Sequence, residues 1–208
     1  SLPLPIIHKD FSYSARQIAA SRNGGSPLDT STAELAARKV AEEVEKLALG
    51  VASTYTFAGA SVYGLINHPN VITTESITNP TSSGWTPEIM LDEVLAMRQA
   101  AEDAYHYGPY MLYLGSSWNR YLDDDYKAQS DITLRQRLAQ IDGIQGVRTL
   151  DYLTDYKVVL VQMTSDVVRM VVGMEITTVQ WETNGGMLQH FKVMCIMVPQ
   201  IRADINGK

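Results

Sequence analysis

The chain has 208 residues, 45% of them hydrophobic and 19% charged, which leaves room for one large domain or two small lobes and excludes chain-wide disorder. A formal net charge of −6, from 17 basic and 23 acidic residues with no basic run, lacks the clustered Lys and Arg that sequence-independent nucleic-acid binding needs. The single cysteine, Cys195, excludes an internal disulfide framework and fits a reducing compartment; no run approaches the roughly 18 apolar residues of a membrane span, and no signal-peptide pattern opens the chain.

The chain opens on Ser1 without an initiator methionine, and SLPLPII reads like the middle of a strand, as in a processed or trimmed product. From Leu4 to Ile18, Ile7, Phe11, Tyr13 and Ala15 alternate with His8, Asp10, Ser12, Ser14 and Arg16, which predicts a strand with one wet face. Pro3 and Pro5 keep its beginning at an edge or outside a ladder. Asn23-Gly24-Gly25-Ser26-Pro27 is then a turn. Ser31 to Gly50 carries the longest helix signal, with Ser31 and Glu34 fitting a capping box and Gly50 a left-handed stop. Ala33, Ala36, Ala37, Val40, Val44, Leu47 and Ala48 form its apolar stripe, and Glu34–Arg38 and Glu42–Lys46 are oriented ion pairs four residues apart. A stripe so rich in alanine allows close packing against a sheet or a neighbouring chain.

A polar, β-prone region follows to about Gly84. Thr86-Pro87-Glu88 starts a second helix with a cap hydroxyl, a first-position proline and a first-turn acid. Met90, Val94, Met97, Ala101 and Tyr105 continue on one face, Leu91 and Leu95 widen it, and Gly108-Pro109 stops it. Tyr110 to Leu114 reads as a short buried strand, Ser116 as the cap of a brief helix through Leu122, and Thr133 to Ile141 as another short helix. Val147 to Leu150, Lys157 to Met163, Val167 to Val172, Ile176 to Trp181 and Met187 to Ile205 are strands, with Asn184-Gly185-Gly186 a hairpin signal. The order of elements is that of an α+β chain, divided as 1–84, 85–172 and 173–208.

No catalytic, cofactor-binding or metal-binding residue is indicated. His8, His68, His106 and His190 sit in four different contexts, none with a second ligand at a zinc spacing. Cys195 lies inside the apolar run Val193 to Val198 and reads as a small hydrophobe. Asp123-Asp124-Asp125 offers oxygen ligands for a hard cation, but no glycine-turned ligand loop follows, so it reads as a solvated loop. The phosphate-cradling glycine frames and the GxSxG elbow are absent. Nine methionines read as core gap-fillers or as adaptable subunit contacts.

In order and phrasing, LPLPIIHKDFSYSARQI, PLDTSTAELAARKVAEEVEKLALG and YGLINHP resemble the middle of encapsulin (linocin-type) shell proteins, a family related to tailed-bacteriophage major capsid proteins. TPEIMLDEVLAMRQAAEDAYHYGPYMLYLG, TLRQRLAQIDGIQGVRTLDYL and DYKVVLVQMTSDVVRMVVGMEITTVQW extend the resemblance over nearly all of the chain. It implies a tailed-phage major-capsid-like fold. A peripheral lobe would hold a long spine helix (Ser31 to Gly50) and a long-stranded sheet; an axial lobe would be a sheet flanked by helices. Leu2 to Ile18 would match the returning strand of an extended loop whose outgoing strand precedes Ser1 in the family. Ser1 to Lys9 should then project from the body or lie on another chain, with Phe11 to Ile18 in the sheet. A chain trimmed in this way should assemble less well than one carrying the family's N-terminal arm.

The function read from these features is that of a non-enzymatic shell subunit that self-assembles into an icosahedral particle, a virion or prophage-derived particle in the bacterial cytoplasm. Its partners would be other copies of itself, with DNA or a cargo protein packaged without specific recognition by this chain, and no membrane. The alternatives are an encapsulin compartment around an enzyme cargo and an α+β enzyme with a dispersed site. A pocket gathering His68, His106 or His190 with a carboxylate would favour the enzyme.

Overall fold

The computed structural model describes residues 2–24, 30–52, 55–74, 77–127 and 131–202. The expected turn at Asn23–Pro27 and the end of the run reaching Ile205 lie partly outside them. The described residues form eight strands and five α-helices: β1 (Ile6–Ser14), α1 (Ala15–Arg22), α2 (Ser31–Leu49), β2 (Thr56–Phe57), β3 (Ala60–Ser61), α3 (Pro87–Asp103), β4 (Tyr110–Gly115), α4 (Asn119–Leu122), α5 (Leu134–Ala139), β5 (Ile144–Leu150), β6 (Val158–Gln162), β7 (Val168–Thr183) and β8 (Leu188–Ile201). The described residues form two compact units. One is drawn from 2–48, 52–63 and 170–199, the other from 49–51, 64–169 and 200–202.

In the first unit the sheet order is β1-β8-β7. β1 runs antiparallel to β8 in unbroken register from Ile6 opposite Ile196 to Ser14 opposite Leu188. Ile6 to Lys9 therefore find their partner inside their own chain, where Ser1 to Lys9 are expected to project; residues 2–5 lie outside the ladder, as Pro3 and Pro5 predict. The alternation of Ile7, Phe11 and Tyr13 matches that of β8, and Phe11 stacks on Phe191 at 5.3 Å. The strand also ends sooner than expected, because Ser14 caps α1. Its hydroxyl accepts the Gln17 N–H at 3.3 Å and the Gln17 side chain accepts the Ser14 N–H at 2.9 Å. This capping box turns Ala15 to Ile18 into helix, where alternation alone continues the strand.

The alanine stripe of α2 is its inner face. Ala36 and Val40 are buried with Val193 and Cys195, while Ile7, Phe11, Ala37 and Val44 pack around them. Leu47, Val62 and Val198 form a second small cluster. Ser31 is already helical, one position inside the expected cap; the Thr30 carbonyl accepts the Glu34 N–H at 3.1 Å. The side-chain pairs also differ from expectation, with Lys39–Glu42 and Glu43–Lys46 closing at 2.6 Å each, three residues apart. Lys39 bonds the Glu42 carboxylate and holds it below the usual carboxylate range. Gly50 ends the helix at φ +82°, as its identity predicts.

β7 runs unbroken for 16 residues, joining the two strands expected at Val167 to Val172 and Ile176 to Trp181. Asn184, Gly185 and Gly186, all at positive φ, make the tight link to β8.

The second unit has its own core around β4, the middle strand of the order β5-β4-β6. β4 is parallel to β5 and antiparallel to β6. Tyr110, Leu112 and Leu114 are buried there with Met90, Leu91 and Val94 of α3, and with Trp118, Leu122, Leu134 and Leu138 of the crossover that a parallel pair requires. Thr86 caps α3 as predicted, accepting the Ile89 N–H at 3.4 Å, with Pro87 at the first position. The helix stops at Asp103, before the expected Gly108-Pro109. Tyr105 leaves it at φ +65° and is exposed, so the apolar face ends earlier than its periodicity suggests. Leu95, expected to widen that face, is also among the exposed residues. Thr133 and Gln136 form a capping box at α5, where the sequence pattern indicates only a helix start.

Candidate functional site

Among the described residues no group of three His, Cys, Asp or Glu side chains is placed to hold a metal ion. Two of the three aspartates of the loop after α4 are engaged locally. Asp123 accepts Arg135 Nε–H at 2.9 Å, and the Asp124 carbonyl accepts the Leu134 N–H at 3.1 Å. Cys195 is fully buried in the α2–sheet core, and burial pushes its thiol up, as expected of a small hydrophobe. No helix of the described residues is long and apolar enough to cross a membrane.

The four histidines do not remain four separate cases. His8 stays at the surface beside Asp10 at 3.2 Å. His190 stacks on Trp181 at 5.3 Å and shares a 2.8 Å hydrogen bond with the Thr183 hydroxyl. His68 and His106, by contrast, line one cavity of about 460 Å³ in the second unit, together with Asp155 and Lys157. Sequence spacing could not show this meeting, since the two histidines come from an irregular segment and from the exit of α3.

The polar groups of the cavity are tied to the fold. His68 Nδ1 accepts the Asn70 N–H at 3.2 Å, which puts the proton of a neutral ring on Nε2. The Tyr110 hydroxyl donates to the His106 carbonyl, and burial raises the Tyr110 pKa. The Asp155 carboxylate accepts the Thr154 hydroxyl at 3.3 Å. Outside the cavity lining, Asp166 is held low first by a hydrogen bond from Thr164 and then by its own backbone N–H. None of these contacts is a nucleophile–base pair of the kind acyl transfer uses.

Burial lowers the His68 pKa below its ordinary value near 6.5. The folded chain then binds fewer protons at this site than the unfolded chain. Its contribution is present above the unfolded value and is lost as pH falls below it. The expected result is a drop in thermal midpoint between about pH 7.5 and pH 5.5 that is smaller in His68→Gln than in the native chain. Equal drops in the two proteins would show that His68 carries none of the acid sensitivity.

The first unit offers an exposed apolar surface. Met170, Val172 and Ile176 lie at even spacing on one face of β7 and are all exposed, and Val179 and Trp181 on the opposite face are exposed as well. Met187, at the hairpin turn, is 69% exposed. Of the nine methionines, Met90 is thus a core residue, whereas Met163, Met170 and Met187 are presented to the outside.

A family model matches residues 1–208, the whole chain, and is described as a family of unknown function, DUF6260. The chain belongs to DUF6260. No curated protein matches this DUF6260 chain by sequence. Solved structures do match its fold. A virus-like particle from Pyrococcus furiosus has a TM-score of 0.73 at 21% identity, over 96% of this chain and 73% of the other. The capsid of Myoviridae phage XM1 gives 0.72 at 10% identity, over 96% and 70%. The capsid of a native GTA particle gives 0.65 at 11% identity, over 97% and 70%. The DUF6260 chain therefore has the α+β fold of tailed-phage capsid and virus-like-particle subunits, as its phrasing resembles.

Proposed function

We propose that this DUF6260 chain is a structural subunit that self-assembles into an icosahedral shell. The observation that carries the reading is the extent of the likeness: 96% of the chain superposes on a virus-like particle subunit. The exposed apolar residues of β7 and the methionines at 163, 170 and 187 support it, because closed shells need unlike surfaces on one chain that dock around symmetry axes. In this reading α2 with β1, β7 and β8 is the peripheral lobe, and α3 with the β5-β4-β6 sheet is the axial lobe. The particle is a virion or a prophage-derived shell of the bacterial cytoplasm. An acidic chain with no basic run suits contents, DNA or cargo protein, that are enclosed without specific recognition.

The test is the natural full-length protein, expressed and examined by size-exclusion chromatography and negative-stain microscopy. Closed particles of uniform diameter are expected. A stable monomer at high concentration would overturn the proposal. Nucleic acid in particles purified from the natural host would identify a capsid, and a co-purifying enzyme would identify the encapsulin alternative.

The enzyme reading has one observation in its favour, the convergence of His68, His106 and Asp155 on one cavity. The shell reading is preferred because the Nδ1 of His68 already accepts the Asn70 N–H and the Asp155 carboxylate already accepts the Thr154 hydroxyl at 3.3 Å.

A further inference from the structure

The cavity of the second unit has an unusual wall. All five residues of β6, Val158 to Gln162, line it, although successive side chains of a strand point to opposite faces. Such a wall is a strand seen along its edge. β6 pairs with β4 on one side only, and the direction of its backbone groups follows from two bonds. Gly115 N–H donates to the Lys157 carbonyl at 3.1 Å, and Met163 N–H donates to the Pro109 carbonyl at 2.8 Å. In an antiparallel pair the bonded positions alternate, so Val159 and Val161 face β4 as well. The N–H and C=O groups of Val158, Leu160 and Gln162 therefore point away from β4, along the free edge, and no strand among the described residues takes them up. Gln162 adds a side-chain acceptor, since its buried Oε1 has no hydrogen-bond partner among the described residues. Buried or half-buried backbone groups in this condition are costly, and an added strand is what satisfies them.

The rest of the cavity defines what that strand is. Val158 and Leu160 pack on the α3 side of the sheet, where Met97 and Ala101 line the cavity, so incoming residues that share this face must be apolar. A volume of about 460 Å³ admits a single extended segment and not a helix or a sheet. The opening segment of another copy of this chain is a poor donor. Its residues 2–5, which lie outside every helix and strand, include Pro3 and Pro5, which lack the amide donors that an added strand must supply.

We propose that the cavity beside β6 binds an extended peptide segment of a partner protein as a fourth strand of the β5-β4-β6 sheet, apolar at the alternate positions that face Met97 and Ala101. The proposal is independent of the shell reading, because it rests on the second unit alone.

The experiment uses the full chain and a fluorescein-labelled short peptide of alternating valine and threonine with a neutral glycol cap. Anisotropy reads binding, and amide exchange by NMR reads its place. Saturable binding is expected, with new protection at Val158, Leu160 and Gln162 and little change at Val159 and Val161. Leu160→Pro removes an outward donor without touching the β4 ladder and should weaken binding about tenfold. Because proline can disturb the strand, Gln162→Leu is the second variant and should weaken binding several-fold while leaving the unfolding midpoint near that of the native chain. The same peptide N-methylated at alternate amides should not bind. Overturning results are binding without protection of the three amides, equal binding of the N-methylated peptide, or protection of those amides by a fatty acid such as decanoate. Protection that appears without peptide as protein concentration rises would assign the edge to a second copy and would overturn the proposal too.

Discussion

Gly64→Ala should destabilise the second unit by about 3 kcal/mol. A Cβ built at Gly64 would lie 2.1 Å from the Gly50 nitrogen, 2.5 Å from Gly50 Cα and 2.6 Å from the Leu49 carbonyl carbon. All three are backbone atoms at the end of α2, so no side chain can swing aside to make room. Gly50 cannot shift freely either, since it holds a left-handed conformation and the Leu49 carbonyl accepts the Ile66 N–H at 3.0 Å. Asn67 closes the contact by accepting the Gly64 N–H at 2.7 Å. Gly59→Ala is the control for steric contact: unlike Gly64, Gly59 is left-handed, at φ +79°, but a Cβ there would meet nothing within 4 Å. It should cost only the conformational term, about 1–2 kcal/mol. Chemical denaturation of the two variants separates the effects. Equal losses would mean that the Gly50–Gly64 contact has slack that its distances do not show.

Trp118→Ala should cost about 3–5 kcal/mol and loosen the core of the second unit. The side chain is fully buried, with Tyr156 at 5.5 Å, Trp85 at 6.0 Å and Tyr121 at 6.3 Å between ring centroids. Its Nε1–H donates to the Tyr156 carbonyl at 2.9 Å, which ties the short helix after β4 to the segment leading into β6. Alanine removes the ring contacts, the apolar area and the donor together. Trp118→Phe keeps most of the area and should lose less, chiefly the hydrogen bond at about 1 kcal/mol and part of the packing. Near-ultraviolet circular dichroism and thermal unfolding are the measurements. A Trp118→Ala chain as stable as Trp118→Phe would show that the aromatic cluster is not the centre of this core.

Local chemistry was legible wherever neighbouring residues decide the outcome. Thr86-Pro87-Glu88 started α3, Gly50 ended α2 and Asn184-Gly185-Gly186 turned β7 into β8, because cap oxygens and left-handed glycines act within three or four residues. The same local chemistry was missed at Ser14 and Gln17, where the alternation of β1 ran on into a capping box. Periodicity also carried α3 too far, to Tyr105, since a repeat of apolar residues cannot show where the chain leaves the core.

The sequence by itself determined the α+β class, the buried faces of α2 and β4, and a resemblance of phrasing to shell proteins that the solved folds match. Tertiary structure alone decided the rest, and the reason is distance along the chain. β1 pairs with β8, Ile6 standing opposite Ile196, so the partner of the opening strand cannot be read from residues near it. The cavity draws its wall from residues 65–74, the end of α3, β6 and residues 201–202, and only the closure of these segments brings His68 to the same space as His106. The edge of β6 that no described strand covers is of the same kind: its sequence reads as an ordinary buried strand, and the direction of its outward backbone groups is set by pairing with β4.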